Sequence, residues 1–503
     1  MTNRTGAIFK TPGPNGSGVA WAILAAAIFL LTLELCVELF LASQHHGWNE
    51  VQATIPDEAL FIEVAKDRGF RHFGAGYGPV FWFVLAQLLS LAPNGAEELA
   101  ARTFFILTKY AAVGLMGFYL WRQGKRLAAS LFIIAVVGSP GFMFMGKIIS
   151  PEYQLLLLSA LAACSLYADA ERIGKLYFLA LALSVAATLT KLSALPLLGM
   201  VTLYGLVVGY RRNSLPVFSK IAAEIVATLG LALAILVLGT WPNDLLADIK
   251  AALAIVPPLE ISPAALVRAW RIDDVTWDQI KLGGIGKDFV PVFFLMVAGT
   301  VLLPLAPYSP QRSANWALYL SALAMLATAV FHDTAHTWYI FLPFFLFATV
   351  GANVIGDLAP RTQAMAFLLL VVVVFLSASR MKERIQFKWD RVSLVTSAAA
   401  DANDQLADVR KNLSCAHTAN VDILIPTPEI PGFDPARLAL EKKSNGNWSA
   451  PDILMLNNST LLKRSPLVEH VVQDQLSQYV MTRRSGVVDL YVKRDLPCFK
   501  TQE

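Results

Sequence analysis

Charged residues are scarce in this chain, and their scarcity argues against several classes of protein. Lys, Arg, Asp and Glu make up 16% of the 503 residues, 56% of the residues are hydrophobic, and the mean hydropathy is +0.54. A soluble protein of this length carries more polar surface. The formal net charge is only +4, and no basic cluster is interleaved with aromatic residues, so nucleic-acid binding has little support.

The sequence also shows no signal-peptide cleavage site and few cysteines. Its polar N-terminus runs into an apolar segment, 19–41, that is long enough to span a bilayer, which predicts a retained first helix. Of the four cysteines, Cys36 and Cys164 lie in apolar segments, where packing explains them. Cys415 and Cys498 lie in the polar tail, where a disulfide stays open as an alternative if that tail is outside the cytoplasm.

Long apolar runs are what the chain has in abundance. They have the length of membrane-spanning helices, which predicts a polytopic membrane protein. The segment 79–92 is apolar but shorter. At 1.5 Å per residue it would cover roughly 21 Å of a hydrocarbon core of about 30 Å, so we expect a juxtamembrane helix there. Eleven runs are predicted to span: 20–42, 103–121, 127–146, 152–168, 174–189, 193–210, 219–241, 288–307, 315–331, 338–356 and 363–379.

The charges of the short loops favour one orientation. With eleven spans and 79–92 lying flat, the loops rich in Lys and Arg share the side of the N-terminus, which the positive-inside rule makes cytoplasmic. The loops 44–78 and 242–287 and the tail 380–503 then lie outside. Arg380 and the basic residues after it oppose this orientation, although long domains translocate largely regardless of such charges. We expect a bacterial inner-membrane protein with a periplasmic tail.

The tail differs in pattern from the rest of the chain. Its short apolar runs alternate with helical patterns, which predicts a small soluble α/β domain over 380–503, beside an all-α membrane domain over 1–379. No motif in the tail indicates its role. Predicted helices cover 397–413 and 467–481, and predicted strands cover 421–425, 452–456 and 487–492.

Carboxylates near the predicted outer surface are the candidates for catalysis. Asp57 and Glu58 follow a proline in the first outer loop, and Glu152 follows Ser150 and Pro151 at the start of the fourth span. Each place also suits an ordinary helix N-terminus, where proline and carboxylates are favoured. The alternative is that one carboxylate is a general base, since partial burial raises a carboxyl pKa and improves proton acceptance. Glu152 would then orient the acceptor or a metal ion.

Cations on the same side are candidates for binding a phosphate, because a leaving phosphate develops negative charge. Lys191 stands at a polar break between two short spans, His336 directly precedes a span, and Arg268 and Arg271 lie in the long outer loop. Each position also suits a solvated loop or a snorkelling side chain. His332 and His336 are four residues apart, but no third ligand stands at a recognisable spacing. A divalent metal is therefore the less favoured alternative, and no cofactor is expected.

Two acids lie inside the first predicted span. Glu34 and Glu38 are four residues apart and share one helical face. Acids inside a membrane helix are costly unless they are paired or functional, so pairing with Lys109 or with polar groups in the bundle is expected. They also support an alternative function, a proton-coupled transporter or flippase of lipid-linked saccharides, although no inverted repeat is visible. An antigen-ligase-like enzyme that relies on outer Arg and His residues is a further alternative.

Several short motifs together resemble the GT-C superfamily of polyprenyl-phosphate-sugar-dependent glycosyltransferases, which includes the protein O-mannosyltransferases and the lipid A aminoarabinose transferase. The motifs are Asp57-Glu58 in the first outer loop, Gly76-Tyr77-Gly78-Pro79 before the juxtamembrane helix, Glu152 opening the fourth span, Leu189-Thr190-Lys191 ending the fifth, and His336-Thr337-Trp338-Tyr339-Ile340-Phe341-Leu342-Pro343 opening a late span. Glu152 stands where aspartate is more common, and Trp338 stands where an arginine often precedes the tyrosine.

The resemblance implies a membrane glycosyltransferase of the GT-C fold. It would move a sugar from a polyprenyl-phosphate donor to a hydroxyl of a lipid, glycan or protein acceptor on the outer side, with inversion of configuration. Asp57 would be the base, with Glu58 as the adjacent alternative and Glu152 as a second catalytic acid. The substrate-binding residues would be Tyr77, Lys191, Arg268, Arg271, His336 and Tyr339.

Overall fold

The computed structural model describes the chain in residues 18–44, 61, 62, 65, 78–93, 96–143, 149–170, 173–212, 215–240, 262–264, 276, 277, 280, 281, 285–305, 311–331, 337–412, 421–424, 453–457, 478–484 and 488–494. The chain divides into two compact units. The first takes in 1–42, 61–271 and 283–385, and its described part is helical. The second takes in 43–60, 272–282 and 386–503 and contains the described strands.

A described helix lies in each of the eleven predicted spans, and a separate short helix lies at the predicted juxtamembrane segment. The helices are α1 (Gly18–Gln44), α2 (Pro79–Leu91), α3 (Glu97–Arg122), α4 (Arg126–Val137), α5 (Pro140–Met143), α6 (Pro151–Ala168), α7 (Lys175–Thr190), α8 (Leu195–Arg212), α9 (Leu215–Thr240), α10 (Ile285–Asp288), α11 (Val290–Leu305), α12 (Arg312–Phe331), α13 (Thr337–Ile355) and α14 (Pro360–Asn412).

Six of the described helices are long and apolar enough to cross a membrane, judged by length and composition. The apolar segments are Gly18–Ser43, Leu99–Arg122, Leu192–Arg211 (α8 with the 3-10 turn before it), Leu215–Ala234, Arg312–Val330 and Pro360–Glu383. Shorter apolar helices stand at further predicted spans, namely Arg126–Val137, Lys175–Thr190, Val290–Leu305 and Ile340–Ile355. The chain is a multi-pass, mostly helical membrane protein.

Local sequence sets where the helices break. The predicted span 127–146 is interrupted, because α4 gives way at Gly138 and Pro140 begins α5. A proline disfavours the helical conformation in the residue before it. The predicted break between the fifth and sixth spans is confirmed. Lys191 is extended, with φ −157° and ψ 133°, a 3-10 turn covers Leu192–Ala194, and α8 follows directly.

Helix α13 lies at the centre of the first unit, and every residue from 340 to 355 in it is buried. It packs against α11 and α12. A Cβ at Gly351 would lie 2.2 Å from the backbone oxygen of Leu295, so α13 and α11 cross in close backbone contact. Small residues at such crossings are typical of membrane helices. At the start of α11, Phe289 stacks on Phe344 with ring centroids 5.2 Å apart.

One end of the helical unit is held together by polar contacts around Lys125, and we call it the Lys125 end. The Lys125 Nζ atom lies 2.5 Å from Oδ1 of Asp357 and donates to Oδ1 of Asn353 at 2.7 Å. Nearby, the Tyr167 hydroxyl donates to Oδ1 of Asn315 at 2.7 Å. Burial lowers the pKa of the Lys125 ammonium, and the Asp357 carboxylate acts in the opposite direction. Four elements therefore meet at the Lys125 end, namely the loop after α3, the end of α6, and the helices α12 and α13.

Arg380 explains part of the charge pattern after the last span. Its Nε atom lies 3.1 Å from Oδ1 of Asp288, which is fully buried, and its Nη1 atom lies 2.8 Å from Glu383. The cation that opposes the predicted orientation is therefore neutralised locally by ion pairs. Helix α14 is also longer than expected. It runs without a break through the predicted span 363–379 and the separately predicted helix 397–413.

The described strands of the second unit form a four-stranded sheet and a short hairpin. In the sheet, β3 (Val421–Leu424) pairs in parallel with β4 (Ile453–Asn457), and β6 (Val488–Lys493) pairs antiparallel with β4 and with β5 (Tyr479–Arg484). The hairpin pairs β1 (Thr276–Trp277) with β2 (Ile280–Lys281).

The three predicted strands of the tail are confirmed, and a fourth strand was missed. The helix predicted over 467–481 is wrong at its end, because Tyr479 to Met481 belong to β5, and residues 467–477 lie outside the described part of the chain. A register shift between Met481 and Arg483 interrupts the two-residue alternation by which a strand is recognised. Cys415 and Cys498 also lie outside the described residues.

Candidate functional site

The start of α6 places an acid inside the helical unit. Ser150 is the N-cap residue in an extended conformation, Pro151 stands at the first helical position, and Glu152 lies in the first turn. The expected helix start is therefore confirmed. The Ser150 hydroxyl does not cap the backbone but donates a hydrogen bond to the Glu152 carboxylate. Both residues are buried, so the sequence Ser-Pro-Glu holds a carboxylate away from bulk water.

Lys191 is the cation that meets this acid. Its ammonium forms an ion pair with the Glu152 carboxylate, and each side chain is only 7% exposed. Lys191 reaches this position because α7 ends at Thr190 and the extended backbone at the break turns the lysine inward. Buried charges persist in proteins when they are paired in this way. The break in the apolar run therefore supplies a cation at the start of α6.

Gly78 brings a third motif to the same place. Its backbone N–H donates to the carbonyl oxygen of Thr190 at 2.9 Å. A Cβ atom at Gly78 would lie 2.0 Å from the carbonyl oxygen of Leu189, so only glycine fits this approach. Pro79 then starts α2, which buries Trp82 and Leu85. Three segments that are far apart in the sequence thus converge at one end of the helical unit, which we call the Lys191 end.

A second buried ion pair lies beside the first. The Lys109 Nζ atom donates to both carboxylate oxygens of Glu38, at 2.8 and 2.7 Å, and to the carbonyl oxygen of Phe142 at 3.0 Å. It also lies over the rings of Phe142, Tyr110 and Tyr153, at 4.4, 4.8 and 5.2 Å from their centroids. The expected pairing of Glu38 with Lys109 is confirmed. Because Tyr153 directly follows Glu152, the two ion pairs are neighbours.

Most of the other predicted site residues lie outside the described part of the chain. This holds for Asp57, Glu58, Tyr77, Arg268, Arg271, His332 and His336. Tyr339 lies in the first turn of α13, and its backbone alone is described. Their proposed roles stay predictions. Of the predicted site residues, Glu152 and Lys191 are brought together.

Two features of this site were not predicted from the sequence. One is the contact of Gly78 with the end of α7, and the other is the ring cage around Lys109. The sequence signal for the first was the short motif Gly76-Tyr77-Gly78-Pro79 ahead of an apolar helix, which does not show what Gly78 contacts. The signal for the second was stronger, because a lysine inside an apolar run needs a buried carboxylate and electron-rich neighbours.

Comparison with known proteins identifies the fold. No protein-family model matches the sequence, and no curated protein matches it. Among solved structures, ArnT from Cupriavidus metallidurans bound to undecaprenyl phosphate aligns with a TM-score of 0.53. The alignment covers 95% of this chain and 98% of that chain at 13% sequence identity. The chain shares its fold with ArnT.

The similarity confirms the predicted fold class, a polytopic helical membrane protein. The similarity extends over nearly the whole of both chains, and the second unit therefore belongs to the compared length. The apo state of the same ArnT aligns with a TM-score of 0.48 at the same identity.

Proposed function

We propose that this chain is a membrane glycosyltransferase that moves a sugar from a polyprenyl-phosphate donor to an acceptor hydroxyl. The observation that carries the proposal is the convergence of Gly78, Glu152 and Lys191, which come from three of the motifs that resemble the GT-C enzymes. The ArnT-like fold supports it, since ArnT was solved with undecaprenyl phosphate bound. A lipid phosphate of the same chemical class is the proposed donor carrier here.

The proposed reaction is a single displacement. The acceptor oxygen attacks the anomeric carbon, the bond from that carbon to the phosphate oxygen breaks, and polyprenyl phosphate leaves with the bonding electrons. Asp57 takes the proton from the acceptor hydroxyl, with Glu58 as the adjacent alternative. One displacement without an enzyme nucleophile inverts the configuration at the anomeric carbon. A positioned base of this kind contributes about 10²- to 10⁴-fold to a rate.

Lys191 is the proposed partner of the leaving phosphate. The phosphate gains negative charge as the sugar departs, and a cation held in a site that excludes water stabilises that charge strongly. The ion pair with Glu152 holds the ammonium in place inside the helical unit. We therefore propose that Glu152 positions Lys191. This role replaces the broader expectation that Glu152 is a second catalytic acid. Tyr77, Arg268, Arg271, His336 and Tyr339 remain proposed substrate contacts.

The proposed side of the reaction is extracytoplasmic. The basic loops favour the Lys125 end as the cytoplasmic side, and the Lys191 end is the opposite end of the same helices. The second unit would then lie in the periplasm of a bacterial inner membrane, where lipid, glycan and protein acceptors are all available. A transfer assay with candidate acceptors of each kind identifies the acceptor.

The deciding experiment compares the purified chain with its Asp57→Asn variant. Each protein is incubated with a panel of labelled polyprenyl-phosphate sugars and candidate acceptors, and the transferred label is counted. We expect turnover to fall by about 10²-fold or more while donor binding is kept, because only the base is lost. Glu224→Gln removes an exposed carboxylate in α9 and is the matched control, expected to keep full turnover.

Other outcomes would redirect the assignment. Full activity in Asp57→Asn would leave that residue as a helix-start residue and move the base to Glu58. If the parent transfers from no donor, the transporter alternative with Glu34 and Glu38 moves ahead.

A further inference from the structure

A groove of about 370 Å³ lies between α8 and α12, away from the candidate site. Eight of its ten lining residues are apolar or aromatic, and Leu203, Val207 and Leu320 among them are well exposed. Both helices are long and apolar enough to cross a membrane. The groove therefore opens toward the space that lipid chains fill, and its volume suits one acyl chain.

The two polar lining residues that are not aromatic stand at one end of the groove. Arg211 lies near the end of α8 and Ser313 near the start of α12. Gln311, two residues before Ser313, accepts a hydrogen bond from Lys125 at 3.4 Å, so this is the Lys125 end. Arg211 is exposed, and within the described part of the chain no carboxylate forms an ion pair with it. An apolar groove that ends in an exposed guanidinium fits an amphiphile with an anionic head.

We propose that this groove binds an anionic glycerophospholipid of the leaflet at the Lys125 end. One acyl chain would lie along the apolar walls beside Trp316, and the phosphate would meet Arg211, with the Ser313 hydroxyl as a second donor. Free inorganic phosphate would leave the apolar walls unused. The basic residues at this end of the helices make the leaflet that carries anionic lipids the natural source of the occupant.

The position of the groove separates it from the proposed donor site. Twenty residues separate Lys191 from Arg211, which at 1.5 Å per residue is about 30 Å, the thickness of the hydrocarbon core. A lipid whose phosphate sits at Arg211 cannot also place that phosphate at Lys191. The occupant is therefore a lipid of the opposite leaflet, and the inference stands whether or not the transferase proposal holds.

The test is a lipid titration of the purified full chain in detergent, followed by native mass spectrometry. Phosphatidylglycerol is expected to form a one-to-one complex at concentrations where phosphatidylcholine and inorganic phosphate do not. Arg211→Gln should weaken this complex by about tenfold, the effect of losing one charge-assisted contact. Lys220→Gln removes an exposed cation in α9 and should leave binding unchanged.

A second variant tests the apolar part of the groove. Leu320→Trp places a larger ring in the groove, whereas Leu323→Trp adds the same ring to an exposed position of α12 outside it. We expect the first substitution to abolish the complex and the second to keep it. Equal binding by the parent and Arg211→Gln would overturn the proposal, since only loose surface lipid would then be present. Competition of undecaprenyl phosphate for this complex at equal concentration would also overturn it.

Discussion

Glu152 and Lys191 form a buried ion pair although 39 residues separate them in the sequence. The acid comes from the first turn of one helix and the cation from the broken end of the next. Removing either partner leaves the other charged and buried, which is far more costly than removing both. Comparing the single variants with the double variant therefore shows whether the ion pair only stabilises the fold or also takes part in the reaction.

Lys191→Met should abolish transfer without abolishing folding if Glu152 is removed at the same time. We expect Glu152→Gln and Lys191→Met to lower stability by about 3 kcal/mol each, and the double variant to recover much of that loss. Turnover should stay at least about 10²-fold below the parent in Lys191→Met and in the double variant, because the leaving phosphate lacks its cation. Thermal unfolding in detergent and a transfer assay measure the two quantities separately.

Two further results would sharpen that interpretation. Lys191→Arg keeps the charge but changes its shape, so partial activity is expected from it. A double variant with recovered stability and full turnover would show that the ion pair only supports the fold.

Gly78→Ala should disrupt the docking of α2 on the end of α7. The added methyl would lie 2.0 Å from the Leu189 carbonyl oxygen, so the backbone has to move and the Thr190 hydrogen bond is lost. We expect transfer to drop by about tenfold or more, since small displacements of a reacting group are costly. Gly114→Ala is the matched control, because its added methyl would meet nothing within 4 Å. Similar behaviour of the two variants would count against a role for this contact.

Gly351→Ala tests the packing of the central helix without touching the candidate site. Its Cβ would lie 2.2 Å from the Leu295 carbonyl oxygen, so α11 and α13 must separate. A clash of this kind typically lowers stability by about 1–3 kcal/mol. Gly230→Ala, whose added methyl would meet nothing within 4 Å, should unfold at the parent's temperature or slightly above it. The midpoints of thermal unfolding in detergent give the comparison.

The sequence predicted the helical fold well because a helix that is buried in a membrane needs a long apolar run, which is visible in the order of residues. Apolar runs located the spans, and a polar break with Lys191 located the end of α7. The partner of Glu38 was also predictable, because a carboxylate inside a membrane helix needs a cation at the same depth. These are local demands that each segment must meet by itself.

Contacts between segments that are distant in the sequence were harder to predict. Nothing in the order of residues shows that Gly78 touches Leu189, because the steric demand arises only when the two helices are packed. Strand β5 was missed because its register shift disturbs the alternation of side chains. The continuous helix α14 was divided because its second half lacks the apolar pattern of a span. Tertiary packing decides such features.

The Glu38–Lys109 pair allows the transporter alternative to be tested on stability as well as activity. Lys109 is fully buried and held by Glu38, the Phe142 carbonyl oxygen and three rings. We expect Lys109→Met to lower stability by about 3–5 kcal/mol, and Glu38→Leu combined with Lys109→Met to restore most of it. Lys220→Met, an exposed lysine in α9, should leave the unfolding temperature unchanged.

The same double variant separates the two functions. If the pair only anchors α1 to the bundle, the restored protein should transfer sugar at a rate within about tenfold of the parent, because no proton has to pass through Glu38. A coupled transporter would lose proton-driven uptake of its lipid-linked saccharide in reconstituted vesicles even when stability is restored, since the coupling acid itself is gone. Restored stability with retained transfer would therefore favour the enzyme, and loss of vesicle uptake by the restored protein would favour the transporter.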